Sequence, residues 1–182
     1  MRNIFDQYNQ PENKLTHSLA SSLYEDKKLL DSFLKTFCKN FFKITGNLKI
    51  EQQTVPGQIT RDIDEKQKKG LPDAIIYNEE ECLIIESKVS STLTQDQLNR
   101  HEKTLRRRGF DKIKGIGIVV DILPNVKLEN WKQLTWNSVY SWAHKENKNS
   151  EWAKKLVDYF NVLENNMVED EYLTEGSITE FT

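Results

Sequence analysis

The sequence predicts an α/β domain with three layers, in which helices flank both faces of a small mixed β-sheet. Two helical patterns come first, three strand-like runs follow, and a helix, a strand and two more helices complete the order. A chain of 182 residues, 37% hydrophobic and 30% charged, is long enough to bury a core without disulfides or a structural metal. These observations favour one ordinary soluble domain.

The first two elements are helices, because apolar residues recur at turn spacing. Residues 11–25 read PENKLTHSLASSLYE, in which three leucines are spaced one turn apart. Residues 26–42 read DKKLLDSFLKTFCKNFF and place apolar side chains on one stripe. Asp26 between the two patterns is a good N-cap. The members of the two apolar sets are Leu15, Leu19 and Leu23 in the first and Leu30, Phe33, Leu34, Phe37 and Phe41 in the second.

Three strand-like runs follow. Residues 48–55, LKIEQQTV, alternate until Pro56 and Gly57 turn the chain. The polar run 61–70 predicts a loop or hairpin end, where Asp62 and Asp64 are expected to be solvated charges; an approach to a metal is the alternative. The runs DAIIY and CLIIES are then joined by the turn-like NEEE, which predicts two antiparallel strands.

The second half alternates helix and strand. Residues 93–110 predict a helix that begins at Thr94 as N-cap and stops at Gly109. The apolar run GIGIVVDI predicts a buried strand, and a loop carrying Trp131 follows it. The runs TWNSVYSWAHKEN and SEWAKKLVDYFNVLENN predict two helices whose aromatic residues belong to the core.

Two regions are predicted along the chain, a domain over residues 1–165 and an acidic segment over residues 166–182. The second reads MVEDEYLTEGSITEFT after Asn166 and carries only acidic charges. It is either a disordered tail or the start of a further region that is truncated here. Both interpretations stay open at this point.

The compartment expected for the protein is the cytoplasm. Cys38 and Cys82 lie far apart in apolar contexts, and no CxxC pair suggests a zinc knuckle or a disulfide framework. The first residues, MRNIFDQYNQPENK, lack the apolar core of a signal peptide, and no window is long enough for a membrane span. A membrane partner is therefore not expected.

The net charge of −2 conceals an asymmetry along the chain. Seven basic residues lie between residues 100 and 114, against two acidic ones. A basic cluster on an otherwise acidic protein is typical of a surface that meets a polyanion. The alternative is an ordinary solvated helix face. The basic residues are Arg100, Lys103, Arg106, Arg107, Arg108, Lys112 and Lys114.

Three charged residues stand at the ends of the two predicted hairpin strands. If the strands pair, Asp73 near the start of one lies close to Glu86 near the end of the other. Two adjacent carboxylates are unfavourable unless a positive charge lies between them, and Mg²⁺ is a hard cation that carboxylates bind. Lys88 faces the same side as Glu86, because side chains alternate along a strand. The pattern therefore predicts half of a metal-dependent phosphodiesterase site.

The stretch LPDAII…CLIIESKV resembles the signature of the PD-(D/E)xK nuclease superfamily, which includes many restriction endonucleases and antiviral nucleases. The resemblance implies the restriction-endonuclease-like fold, nuclease activity on DNA, and Mg²⁺ or Mn²⁺ as the cofactor. It implies Asp73, Glu86 and the backbone carbonyl of Ser87 as metal ligands, and Lys88 as the catalytic lysine. The motif itself covers about twenty residues, and the architecture about residues 12 to 121.

The resemblance also gives meaning to residues on two helices. Glu12 opens the first helix, where many members of the superfamily carry a glutamate that reaches the metal; ordinary helix N-terminal charge is the alternative. Gln97 and His101 are one turn apart where similar families place Gln-x-x-x-Tyr, and the helical wheel adds Arg108 to their face. These three residues are expected to contact nucleic acid.

Three functions are compatible with the sequence. The first is an Mg²⁺-dependent deoxyribonuclease, the effector of a bacterial antiphage defence system. The second is a nucleic-acid-binding or assembly module on a degenerate nuclease fold, against which the intact Asp73, Glu86 and Lys88 argue. The third is a nuclease that cleaves RNA. Because no second DNA-reading motif is visible, we expect targeting by a C-terminal region, a partner protein or a homo-oligomer.

Overall fold

The computed structural model describes residue 5 and residues 11–52, 72–122 and 130–169. Five helices and five strands lie within these ranges, which confirms the predicted α/β class. The polar segment 61–70 with Asp62 and Asp64, the end of the run 48–55 and the acidic residues 170–182 lie outside the described residues. In chain order the elements are α1 (Pro11–Glu25), α2 (Lys27–Phe37), β1 (Lys49–Gln52), β2 (Ala74–Tyr77), β3 (Glu81–Ser87), α3 (Gln95–Arg107), β4 (Lys112–Val119), β5 (Trp131–Thr135), α4 (Trp136–Glu146) and α5 (Glu151–Glu169).

The five strands form one mixed sheet in the order β1-β2-β3-β4-β5. Strands β1, β2 and β3 pair antiparallel, and β3, β4 and β5 pair parallel. The β2–β3 hairpin is thereby confirmed, with Ala74 opposite Ile85 and Tyr77 opposite Cys82. Strand β3 lies at the centre of the sheet, so its end is enclosed by neighbours on both sides.

Helices cover both faces of the sheet, as the three-layer prediction requires. The larger core joins alternate residues of β3, such as Leu83 and Ile85, to α1, α2, α4 and α5. The smaller core joins Cys82 and Ile84 to Leu98 of α3. Because side chains alternate along a strand, Glu86 continues the row that faces α3, and Ser87 continues the row that faces α1.

The helix ends follow the local signals of the sequence. The Asp26 carboxylate accepts hydrogen bonds from the amides of Lys28 and Leu29 at 2.9 and 3.0 Å, and the Thr94 hydroxyl accepts one from the Gln97 amide at 3.4 Å. Gly109 follows α3 with φ +97°, a left-handed conformation that favours glycine. The predicted stripe of α2 was too long, because the helix ends at Phe37 and leaves Phe41 outside it.

Strand β5 is a correction to the sequence analysis, which placed Trp131 in a loop. Trp131 begins a strand that runs parallel to β4, with Gly115 as its partner. A side chain at Gly115 would overlap the Trp131 ring. The indole therefore packs directly against the backbone of Gly115. The indole nitrogen donates to Glu102 of α3 at 2.9 Å, which ties the edge strand to the helix above it.

The described helices give no membrane span, since none of them is long and apolar enough to cross a bilayer. Helix α5 continues to Glu169, four residues beyond the predicted domain boundary at residue 165. The boundary and the nature of the acidic segment stay predictions.

Candidate active site

The hairpin brings Asp73 and Glu86 together one step beyond its last paired residues, Ala74 and Ile85. The amide of Asp73 donates to Glu86 Oε2 at 3.3 Å. In return the amide and hydroxyl of Ser87 donate to Asp73 Oδ2 at 2.9 and 3.2 Å. The two carboxylates predicted to lie close together therefore do so, and the backbone of the hairpin holds them.

Lys88 follows the last residue of β3 and faces the same site. Its amide donates to the carbonyl of Ile118 at 2.8 Å, which extends the parallel ladder by one bond and fixes the backbone. Its ammonium donates to Glu86 Oε1 at 3.0 Å and is only 13% exposed. The predicted side-by-side placement of Glu86 and Lys88 is therefore present.

Helix α3 covers the Glu86 carboxylate with two side chains one turn apart. The side-chain amide of Gln97 donates to Glu86 Oε1, and His101 Nε2 lies 3.2 Å from Glu86 Oε2. Glu86 and His101 are each 2% exposed. These two residues, expected to contact nucleic acid, instead hold a buried carboxylate; their contact with nucleic acid stays a prediction.

Burial and neighbouring charges shift the pKa values of Asp73, Glu86 and Lys88, and not all in the same direction. Burial, with the neighbouring Glu86, raises the pKa of Asp73 to about 6. Burial acts on Glu86 as well, but hydrogen bonds and charges from His101 and Lys88 outweigh it and lower the pKa of Glu86. Burial likewise opposes the charge on Lys88, yet Glu86 and Asp73 raise its pKa overall. The site therefore holds Lys88 as an ammonium ion at neutral pH.

The donor set fits a hard divalent cation. Asp73 and Glu86 offer carboxylate oxygens, and the hydrogen bonds that described residues donate to Asp73 go to Oδ2. A cation would relieve the repulsion that raises the pKa of Asp73. Mg²⁺ commonly takes one or two carboxylates and completes its shell with water and phosphate. Among the described residues no group of three His, Cys, Asp or Glu side chains is arranged to hold a metal.

Glu12 reaches the same region from the first turn of α1. Its Oε1 accepts from the amide of Val89 at 2.9 Å, and its Oε2 lies 3.9 Å from Lys88 Nζ. The Glu12 carboxylate therefore lies near the Lys88 ammonium, which Glu86 also contacts. Metal binding by Glu12 stays a prediction.

Arg108 is placed away from the site. It lies eleven residues after Gln97, or about 16 Å along a helix at 1.5 Å per residue. Its guanidinium forms a bidentate pair with Glu51 of β1 at 2.8 and 3.2 Å. The helical wheel groups Arg108 with Gln97 and His101 by angle, but Arg108 follows the last residue of α3 and is separated from them along the helix axis. Any contact of Arg108 with nucleic acid stays a prediction.

Two hydroxyl groups near the site were not singled out by the sequence analysis. The buried Thr16 hydroxyl of α1 hydrogen-bonds the Ser87 hydroxyl, which in turn donates to Asp73. Thr16 lies one turn after Glu12, so the i, i+4 spacing was the available signal. The sequence analysis expected the backbone carbonyl of Ser87 to bind a metal. Because side chains alternate along β3, the Ser87 side chain faces α1.

Three comparisons relate the chain to known proteins. A family model for the PD-(D/E)XK nuclease superfamily matches residues 2–171. A comparison with curated proteins gave no match. Among solved structures, the chain is similar to the small subunit (R.BspD6I2) of the heterodimeric restriction endonuclease R.BspD6I, with 15% identity and a TM-score of 0.42 over 93% of this chain and 91% of that one.

Proposed function

The chain belongs to the PD-(D/E)XK nuclease superfamily, and we propose that it is an Mg²⁺- or Mn²⁺-dependent nuclease that hydrolyses phosphodiester bonds of DNA. One observation carries the proposal. Asp73, Glu86 and Lys88 converge at the end of the β2–β3 hairpin, where Glu86 is 2% exposed and Lys88 13%. Buried charges cost free energy unless they are paired or bind a metal, and such groups concentrate at functional sites.

The metal would be held by Asp73, Glu86 and the backbone carbonyl of Ser87. A bound divalent cation supplies neutralisation of phosphate charge and activation of water for attack. Glu86 Oε1 already accepts hydrogen bonds from Lys88 and Gln97. The ammonium of Lys88 therefore serves as the counter-ion of this carboxylate in the metal-free protein.

Lys88 is proposed as the catalytic cation. Its raised pKa keeps its proton at neutral pH, which suits electrostatic stabilisation of a phosphoryl group and not proton abstraction. The hydrogen bond from its amide to Ile118 fixes where the side chain begins. A point charge held in this way, in a largely water-excluded position, stabilises charge that develops in the transition state.

Gln97 and His101 are proposed to orient Glu86 and, through Gln97, to meet the substrate. Both now contact the Glu86 carboxylate, so contact with DNA by Gln97 requires that this hydrogen bond be released. The exposed basic side chains on the outer face of the same helix are accessible to the phosphate groups of a substrate. These are Arg100, Lys103, Arg106 and Arg107; Arg108, bound to Glu51, would join them only if that pair opens.

We propose an antiphage defence system of a bacterium as the setting of this activity, in the cytoplasm. The support is indirect: the sequence carries no second DNA-reading motif, and an unrestrained small nuclease would endanger its host. A partner protein, a C-terminal region or a second copy of the chain would then target or activate it. Protection of bacteria against phage plaques, lost in a Lys88→Ala strain, is the corresponding test.

Cleavage of supercoiled and linear double-stranded DNA tests the activity itself. The reactions contain Mg²⁺, Mn²⁺ or EDTA, with the wild type and Lys88→Ala side by side and an RNA substrate in parallel. We expect metal-dependent cutting of DNA that the variant lacks. Cutting that survives EDTA would refute metal dependence, and cutting of RNA alone would refute DNA as the substrate. DNA binding in EDTA without cleavage under any metal would favour the non-catalytic module.

A further inference from the structure

We propose that Glu12 is a positioning residue, which anchors the loop that carries Lys88, and that it does not bind the metal. The proposal rests on the proposed function, because it assigns Lys88 its catalytic part. The loop runs from Lys88 to Thr94 and joins β3 to α3. It therefore connects the strand that carries Glu86 to the helix that covers Glu86.

One carboxylate oxygen of Glu12 accepts three hydrogen bonds from the loop. Glu12 Oε1 accepts from the amide of Val89 at 2.9 Å, from the amide of Ser90 at 3.4 Å and from the hydroxyl of Ser91 at 3.3 Å. Hydrogen bonds to an ionised acceptor are roughly twice as strong as those between neutral groups. Three donors on one oxygen leave it little capacity to coordinate a cation.

The second oxygen faces Lys88. Glu12 Oε2 lies 3.9 Å from Lys88 Nζ, while Glu86 Oε1 holds the same ammonium at 3.0 Å. Lys88 is thus close to two carboxylates, one from α1 and one from β3. Within the described part of the chain, the Glu12 carboxylate contacts residues 88–91. Asp73 and Glu86 contact each other, Ser87, Lys88 and α3.

The position of Glu12 relative to β3 is itself fixed. Its backbone carbonyl oxygen lies 2.9 Å from the Thr16 hydroxyl oxygen and 3.4 Å from the Ser87 hydroxyl oxygen, and each of these hydroxyls has one proton to donate among its neighbours. Thr16 and Ser87 are 4% and 0% exposed, so this contact between α1 and β3 is buried. Glu12 is therefore held to the strand through its backbone carbonyl and to the loop through its carboxylate, which restrains Lys88 between them.

Hydrogen exchange in the metal-free protein tests the anchor without needing activity. The variants are Glu12→Ala and Glu12→Gln, with Glu25→Gln at the exposed end of the same helix as the matched control. We expect the amides of Val89 and Ser90 to exchange about tenfold faster in Glu12→Ala, less so in Glu12→Gln, and unchanged in the control. Unchanged loop exchange, or a loss of protection spread through all of α1, would overturn the proposal.

Metal binding and kinetics separate an anchor from a ligand. We expect the Mn²⁺ concentration at the midpoint of thermal stabilisation to stay within about twofold of wild type in Glu12→Gln, because no ligand is lost. For cleavage we expect kcat to fall by about tenfold while KM changes little, since the lysine is misplaced and the substrate still binds.

A tenfold or larger rise in the Mn²⁺ midpoint would show that Glu12 is a ligand and overturn the proposal. A kcat equal to that of Glu25→Gln would overturn it as well. If wild type neither takes up Mn²⁺ nor cuts DNA, the proposed function fails, and the exchange experiment still decides whether Glu12 holds the loop.

Discussion

The two ends of the β2–β3 hairpin carry similar residues in opposite surroundings. At the turn end, Lys112 lies 3.4 Å from Glu81 and 3.9 Å from Glu80, and it is 61% exposed. At the other end, Lys88 lies 3.0 Å from Glu86, and these side chains are 13% and 2% exposed. Both ends pair a lysine with a glutamate, but only one end removes the pair from water.

The difference shows how to recognise a site among many charged residues. Exposed pairs contribute little free energy and are screened by salt, so the turn end needs no functional explanation. The buried end combines two carboxylates with one ammonium, and burial together with the neighbouring Glu86 raises the pKa of Asp73 to about 6. A cleft of about 710 Å³ lies at the turn end, lined by Tyr77, Arg108 and Lys112 among others. The lining of this cleft does not include Asp73, Glu86 or Lys88.

The largest expected contrast is in catalysis. Lys88→Ala should reduce DNA cleavage by at least about 100-fold, because a preorganised charge is lost from the transition state. Lys112→Ala should leave the rate within about twofold, because its pairs are exposed. The measurement is the single-turnover rate with Mg²⁺ for both variants. Equal rates for the two variants would remove the distinction between the ends.

The second contrast is in the stability of the metal-free protein. Glu86→Ala should lower the free energy of unfolding by about 2 kcal/mol, because Lys88, Gln97 and His101 lose their shared acceptor. Glu80→Ala should cost less than about 0.5 kcal/mol. Urea denaturation at pH 7 in EDTA gives both values. A Glu86→Ala protein as stable as Glu80→Ala would mean that the buried contacts contribute nothing net.

The pH dependence of stability sharpens the comparison further. The folded protein binds the proton of Asp73 more tightly than the unfolded chain does, because the folded pKa is about 6 against an ordinary 3.8. This group therefore favours folding most below pH 3.8, and its contribution is lost as the pH rises toward and through 6.

Asp73→Asn should remove that dependence. In EDTA, the variant should gain about 1 kcal/mol over wild type as the pH rises from 4 to 7, because the Asp73 carboxyl of the folded wild type must give up its proton in this range and asparagine has none to lose. Chemical denaturation at several pH values measures the difference between the two proteins. A difference that is constant with pH would contradict the raised pKa of Asp73.

The smallest effect is expected at Arg108. Its pair with Glu51 has good bidentate geometry, but the two side chains are 37% and 44% exposed. Arg108→Ala should therefore cost less than about 1 kcal/mol, and less again in 1 M salt. A larger loss of stability that does not change with salt would show that the Arg108–Glu51 pair behaves as a buried pair.

Much of the fold follows from local sequence signals. The caps at Asp26 and Thr94 and the hairpin strands rest on short-range chemistry that a sequence displays directly. Strand β5 does not, since WKQLT has a polar middle and its Trp131 packs on Gly115, a contact between distant residues. Propensity could not reveal it, because the pairing partner decides whether so short a segment becomes a strand.

The site divides in the same way. Strand alternation and one hairpin together determine that Asp73, Glu86 and Lys88 lie close together, so this proximity was predictable from the sequence. The helical wheel put Gln97 and His101 on one face, but it does not say whether that face meets solvent or Glu86. The partner of Arg108 is Glu51, 57 residues away in sequence. Only the assembled sheet determines which of these faces is buried.

The most direct test of the central claim is the melting temperature of metal-free protein titrated with Mn²⁺. We predict that Tm rises steadily with the metal concentration in wild type and in Glu80→Ala, because the cation binds the folded state. At a concentration about 100 times Kd the gain is about 2.7 kcal/mol. In Asp73→Asn the rise should be absent. No rise in wild type, or the same rise in Asp73→Asn, would contradict the claim that these buried carboxylates form a metal site.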